Sequence, residues 1–166
     1  MDEAIENLDS VLPGDIRNEN TVLLDTSFLV YELKRNPGSL SEFCKDNFVL
    51  ITDFNLSELE SLGRHDHGIK RLAKKFLEKN LVKTLLTKIV IGDWEGEKQY
   101  ASSTDTDLLK HVHDPSDAVL VAAAIRSRSD VLTRDKHHLF TAELENKLSE
   151  YNIKIFNDIT SFQEYA

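Results

Sequence analysis

Cysteine occurs once in this chain of 166 residues, tryptophan once, proline three times and glycine six times, and each scarcity excludes something. A lone Cys44 cannot close an internal disulfide, and no cysteine and histidine stand at the spacing of a zinc site. Neither staple is needed, because a chain of 18.9 kDa can bury a full core of its own. No internal repeat or low-complexity tract is visible. Long apolar runs are missing as well: stretches such as Ala118 to Ile125 are far too short to span a bilayer. The opening MDEAIENLDS is acidic where a signal peptide would be basic. A single domain in the cytoplasm, with no membrane contact, is the expectation. Since no GxxxxGK[ST] loop is present, any attached ATPase activity would belong to another chain.

Positive charge is in deficit too. With 29 acidic and 20 basic residues the formal net charge is -9, which argues against a protein that coats nucleic acid non-specifically. The average conceals a local reversal. From Arg64 to Lys88, eight basic residues stand against only Asp66 and Glu78, a local +6 that leaves -15 for the remainder. A polyanion could be held along that window, by Lys70, Arg71, Lys74, Lys75 and Lys79, while acidic residues elsewhere hold a cation. The competing reading is a plain solvated helix face.

The apolar pattern alternates between strand and helix signals. Residues 1–20 hold a short amphipathic pattern (Ile5, Leu8, Val11, Leu12) ended by Pro13-Gly14, and are expected to form an appendage outside a core of residues 21–166. Thr21 to Leu24 is a short β-prone run, followed by Asp25-Thr26-Ser27 and a helix that stops near Asn36-Pro37-Gly38. A short second helix at Ser39 precedes a strand from Phe48 to Ile51. The helix after Asp53-Phe54-Asn55 carries Leu56, Leu59 and Leu62 as a buried stripe and ends at Gly63. The basic helix follows, with Ile69, Leu72, Ala73, Phe76 and Leu77 on one side. Ile89 to Ile91 is a candidate strand. Gly92 to Asp114 is polar and yields only a short helix at Asp105 to Lys110. Asp114 as cap and Pro115 at the first helical position open a small-residue helix from Ala118 to Ile125. Val131-Leu132, a helix over roughly residues 137–151, a strand from Lys154 to Phe156 and a closing turn complete the chain. This order predicts a three-layer α/β/α sandwich with a mainly parallel central sheet.

Four acidic residues stand where a strand or short turn hands over to a helix: Asp25 in TVLLDTSFL, Glu58 in LSELESL, Asp117 in DPSDAVLVAAA and Asp135 in VLTRDKHHL. In an alternating β/α chain the carboxyl ends of parallel strands share one edge of the sheet, so these side chains converge. Converging carboxylates repel, and oxygen-only ligands of this kind suit Mg²⁺ or Mn²⁺. Each position has a plainer reading as well. Asp25 could be a strand-end turn residue, Glu58 a solvated helix-face residue, Asp117 a complement to the helix dipole, and Asp135 a turn residue. Glu60 competes with Glu58 for the second position. The six histidines read as surface residues, although His137 and His138, just past Asp135, could reach a phosphate.

These motifs resemble those of the PIN domain, a family of metal-dependent nucleases, from Thr21 to Phe156. LLDTSFL looks like the first motif of the family, LSELESL the second, DPSDAVLVAAA the third and LTRDKHHL the fourth. The resemblance implies Asp25, Glu58, Asp117 and Asp135 as catalytic, metal-binding residues for Mg²⁺ or Mn²⁺. It implies Thr26, Ser27 and Thr133 as hydroxyls orienting water or carboxylates behind them. The activity implied is endonucleolytic hydrolysis of single-stranded RNA, with single-stranded DNA a weaker substrate. A toxin with an antitoxin-type partner and a free-standing processing nuclease, alone or as a homo-oligomer, both remain open. The alternative within the family is a non-catalytic module acting through RNA or protein contacts. A phosphatase of the haloacid dehalogenase type would need an aspartate where Ser27 stands.

Overall fold

The computed structural model of the protein describes residues 1–17 and 20–165, so Asn18, Glu19 and Ala166 lie outside the description. Six strands form one sheet: β1 (Ser10–Val11), β2 (Thr21–Leu24), β3 (Phe48–Thr52), β4 (Lys83–Leu85), β5 (Asp130–Leu132) and β6 (Ile155–Phe156), in the order β1-β4-β3-β2-β5-β6. Every pairing is parallel. Side chains alternate across the pleat, and both faces are covered, so the strands read as apolar runs rather than as alternating ones. Val22, Leu24, Val49, Ile51 and Leu132 join one buried cluster, and Leu23, Leu50, Leu85 and Val131 join the other.

The first cluster is closed by α1 (Asp2–Glu6), α2 (Thr26–Arg35), α3 (Pro37–Asp46), α4 (Asp53–His65), α5 (His67–Leu77) and α10 (Ile159–Tyr165). The second is closed by α6 (Trp94–Thr104), α7 (Leu108–His111), α8 (Pro115–Ser127) and α9 (Ala142–Ser149). The expected three-layer sandwich is therefore present. From β2 the chain steps through β3 to β4 with its helices on one face, then returns across the other face to β5 on the far side of β2. The direction of winding reverses between β2 and β5, the place where open α/β sheets leave a crevice beyond their carboxyl ends. Among the described residues no helix is long and apolar enough to cross a membrane.

Several local expectations are corrected. The opening segment is no mere appendage: Ser10–Val11 pairs with Thr84–Leu85 as the edge strand, and Ala4 and Leu8 are buried in the first cluster. The fourth strand is Lys83–Leu85 rather than Ile89 to Ile91, where Val90 is 69% exposed. Leu62 does not belong to the buried stripe of α4 and is 46% exposed, whereas Leu56 and Leu59 face the core. The polar stretch after Gly92 holds a full helix, α6, capped by Asp93, whose carboxylate accepts from Gly96 N. The short helix near residues 105–110 starts later, at Leu108. The helix expected from residue 137 begins only at Ala142, because Asp135 accepts from the backbone of His137 and His138 and holds that stretch as a turn.

Asp53, beside the site but not part of it, has a structural task. Thr52 rather than Asp53 caps α4, its hydroxyl accepting from Asn55 N. The Asp53 carboxylate accepts instead from Thr87 N, Thr87 Oγ1 and Lys88 N at 2.9, 2.6 and 2.9 Å. Lys88 sits at φ 61, left-handed backbone that a lysine adopts only under constraint. The clamp therefore fixes the exit from β4. Asp53→Ala is expected to lower stability by roughly 2 kcal/mol, since three donors lose a charged acceptor. Urea denaturation measures the loss, and an unchanged midpoint would show the clamp to be idle.

Candidate active site

The four acidic residues converge at the carboxyl edge of the sheet, around the reversal between β2 and β5. Asp25 follows β2 at the start of α2, its backbone N–H donating to Leu132 O at 2.9 Å across the strand ends. Its carboxylate makes no capping bond to α2. It accepts instead from Ser27 Oγ at 2.6 Å and Thr133 Oγ1 at 2.7 Å, with Asn55 Nδ2 at 3.4 Å. Hydroxyls from the first turn of α2 and from the residue after β5 thus hold this group in place, away from the role of a plain turn residue.

Glu58 lies in the second turn of α4 and accepts from Thr26 Oγ1 at 2.7 Å and Asn55 Nδ2 at 3.0 Å. Glu60, the competing candidate, faces Asp2, Arg64 and the amino terminus instead. Helical spacing separates them: two residues along a helix is more than half a turn, so only one of the pair can face the sheet edge.

Asp117 is the third residue of α8, but the cap is Asp114, whose Oδ1 accepts from Ser116 N at 2.8 Å and Asp117 N at 3.4 Å. That leaves the Asp117 carboxylate to the site, where His138 Nδ1 stands 3.7 Å from its Oδ2. The same ring nitrogen lies 3.1 Å from Asp135 Oδ2. Ligand atoms of Asp117, Asp135 and His138 all fall within 4.8 Å of one another.

The charges answer to this crowding. Burial raises the Asp25 carboxyl above its ordinary range, partly opposed by its hydroxyl donors. Burial also raises Glu58, helped by the charge on Asp25. Asp117 is pushed up to about 7, by burial first and then by Asp114, Asp135 and Asp25, with His138 pulling it back. Burial acts upward on Asp135 as well, but the bonds from His138 and His137 outweigh it and hold that group low. The Asp135 hydrogen bond raises His138 in return. Carboxylates that cannot all ionise together need a cation, and the hard oxygen donors here fit a divalent one.

Thr26 donates to Glu58, and Ser27 and Thr133 donate to Asp25. Of the five cations of α5 and its end, all exposed, Lys74 pairs with Glu78 at 3.8 Å and Lys79 donates to Ser41 at 2.8 Å, outside this cluster. Two contributors, Asn55 and Glu97, escaped the sequence reading, and His138 was read only as a surface residue able to reach a phosphate. Asn55 is buried, its amide bridging Asp25, Thr26 and Glu58; the signal was an amide three residues before Glu58, on the same helix face. His138, though exposed as expected of the histidines, leans on two of the site carboxylates. Glu97 on α6 is wholly buried and accepts from Ser116 Oγ at 3.0 Å, and its charge acts on Glu58.

Comparison with protein families finds a match to the PIN domain over residues 22–144. The chain belongs to the PIN domain family. PIN domains are in general nucleases and typically use divalent metal ions, so the carboxylate cluster has its expected setting. A search of curated proteins returns no match. Among solved structures, a chain in the crystal structure of VapBC2 from Rickettsia felis, bound to a DNA fragment from their promoter, is similar in fold. It shares 15% identity with a TM-score of 0.53, covering 82% of this chain and 97% of its own.

Metal-free protein should record the crowding as a pH dependence of stability. Asp117 ordinarily ionises near 3.8, so between about 4 and 7 the folded chain keeps a proton that the unfolded chain has released. Stability must therefore fall as pH rises through that window. The raised Asp25, Glu58 and His138 act with the same sign. In chelator, the loss from pH 5 to pH 8 is expected to be on the order of 2 kcal/mol, discounted for partial exposure of Asp117. Asp117→Asn should flatten most of it in thermal melts, and a profile as steep as that of the parent would mean that Asp117 is not the crowded group.

Proposed function

We propose that this PIN domain is a divalent-metal-dependent endoribonuclease acting on single-stranded RNA, of the toxin or RNA-processing type, with Mg²⁺ or Mn²⁺ as its cofactor. The observation that carries the reading is the meeting of Asp25, Glu58, Asp117 and Asp135, from four separate segments, at the reversal of the sheet. Hydrolysis of a phosphodiester needs an anion neutralised, a water activated and a leaving oxygen stabilised, and a carboxylate-bound divalent ion supplies these when present. Asp25, Glu58, Asp117 and Asp135 would hold it.

The chain's own groups do the positioning. Ser27 and Thr133 lock the Asp25 carboxylate in one orientation, and Thr26 and Asn55 do the same for Glu58. Such locking keeps the donors in place while their charges repel, which free side chains would answer by swinging into solvent. The hydrogen bond to Asp135 favours the protonated form of His138, in which Nδ1 is engaged by that carboxylate and Nε2–H is left to meet a phosphate oxygen. Arg134, Lys136 and His137 stand beside it in sequence. Along α5, Lys70, Arg71, Lys74, Lys75 and Lys79 form an exposed row suited to a polyanion backbone. A fold shared with a chain of a VapBC complex supports a toxin-type reading with an antitoxin-type partner, and a homo-oligomer is compatible with it.

The deciding experiment is cleavage of structured and unstructured RNA in Mn²⁺, Mg²⁺ or chelator. Unstructured RNA should be cut only with the metals, and Asp25→Asn and Asp117→Asn should each lower the rate on the order of 10²-fold or more while remaining folded. Full activity in excess chelator would overturn the assignment, and RNA binding without cleavage would identify a non-catalytic module.

The substrate path is tested separately with Lys74→Glu/Lys75→Glu. Weaker RNA binding is expected, with a salt slope reduced by roughly 0.7 per lost phosphate contact, and near-normal turnover at saturating substrate. If affinity and slope stay as they were, α5 is a solvated face and the path lies with Arg134, Lys136, His137 and His138.

A further inference from the structure

Four of the six histidines of the chain stand together. His111 closes α7 and His113 follows it, and with His137 and His138 of the turn after β5 they line a cavity of about 460 Å³, bordered also by Lys110 and Glu143. That volume lies in the range of a small-ligand site, about 300–1,000 Å³. Of the four, His138 alone brings its ring to the carboxylates of the site.

A metal does not account for the other three. Among the described residues the only trio of metal-ligating side chains with ligand atoms within 4.8 Å of one another is Asp117, Asp135 and His138, so the remaining rings do not close on an ion. Support of the fold does not account for them either. His113 and His137 are exposed. The Nδ1 of His111 is buried without a hydrogen-bond partner, Glu143 Oε2 standing 3.9 Å off, and such a nitrogen is a cost to the fold.

The walls of the cavity are fixed by groups other than these imidazoles. Asp105, between α6 and α7, accepts from Lys147 Nζ of α9 at 3.0 Å and from the Tyr151 hydroxyl. Leu108 of α7 and Leu144 of α9 are fully buried in one cluster behind that pair. The turn that bears His137 and His138 is held by their backbone N–H groups, which donate to Asp135. His138 belongs to both places, since its Nδ1 lies 3.1 Å from Asp135 Oδ2 and 3.7 Å from Asp117 Oδ2 while its ring lines the cavity. A nucleic-acid strand held at the carboxylates therefore has its adjoining unit within reach of the cavity.

We propose that this cavity is a nucleotide subsite, holding the RNA unit next to the scissile phosphate, with the base against the rings of His111 and His113 and the backbone phosphate at the N–H groups of His137 and His138. The inference rests on the nuclease reading above. Charged or neutral, an imidazole offers a flat ring on which an unpaired base stacks and an N–H for a phosphate oxygen. Glu143 works against a bare anion but can accept from the amino edge of a base. Paired bases cannot be splayed into such a cavity, so the subsite selects single strands.

Binding is read first with a probe that cannot be cleaved. The metal-free chain is titrated with adenosine monophosphate and, separately, with inorganic phosphate, while the imidazole C–H resonances are followed by NMR. Adenosine monophosphate should shift those of His111 and His113 saturably, and at least about tenfold more phosphate should be needed for the same effect. Cleavage of unstructured RNA is then compared in the parent, in His113→Ala and in His113→Phe, an exposed position where truncation spares the core. His113→Ala should raise KM on the order of tenfold with kcat within a few-fold, and His113→Phe, which keeps a flat ring, should restore most of the affinity. Unmoved resonances of His111 and His113, phosphate as effective as the nucleotide, or an unchanged KM in His113→Ala beside a parent that cuts RNA overturns the subsite and leaves the nuclease reading in place. A parent that cuts no RNA overturns that reading, and the resonances then still decide whether the cavity takes a nucleotide.

Discussion

Mutual repulsion among carboxylates is the constraint on which the site end of this molecule depends. Asp25, Glu58, Asp117 and Asp135 are drawn to one edge of a parallel sheet, and the rise of Asp117 to about 7, from burial first and then from Asp114, Asp135 and Asp25, expresses the cost of gathering them there. A fold can carry such a cost only if the rest of it is well bound. Here the sheet is buried on both faces, with strands β2, β3 and β5 contributing side chains of negligible exposure to two separate clusters. Burial of this kind contributes about 25 cal/mol per Å² of apolar surface, against which one unfavourable ionisation is small.

The hydroxyl and amide groups behind the carboxylates have a particular chemistry. Ser27, Thr133, Thr26 and Asn55 donate hydrogen bonds without adding charge. Lysine or arginine in the same places would neutralise the acids and leave nothing for a cation to do. Neutral donors lower the cost of ionisation while keeping the negative charge available. His138 is the exception, set outside the buried frame with its ring in solvent, where it can approach two carboxylates and also withdraw.

Much of this was legible in the sequence because strand-end motifs are local. Asp25, Asp117 and Asp135 each follow or precede an apolar run whose direction through the sheet can be read from neighbours, and hydroxyls one or two residues away follow with them. Glu58 was separable from Glu60 only by the helical stripe, and the stripe itself was drawn one leucine too long. The misses have a common cause. β4 was hidden because KTL carries little apolar signal and a nearby exposed Ile-Val-Ile imitates a strand better. The buried face of α6 holds only Glu97, Tyr100 and Ala101, so no amphipathic pattern announces a helix there. A glutamate counted as polar reads as surface, and burial against Ser116 is a fact of tertiary structure alone.

The charge distribution joins these levels. An acidic chain that gathers carboxylates at one edge of its sheet disfavours the approach of RNA to that edge. Under the proposed function, a cation held by Asp25, Glu58, Asp117 and Asp135 would offset that charge, so metal occupancy and substrate affinity would be linked quantities. Linkage is reciprocal: whatever factor a bound cation would add to substrate affinity, substrate would add to cation affinity. Burial and repulsion, which push Asp117 up to about 7, make a proton on that carboxyl the competitor of any cation these residues would hold.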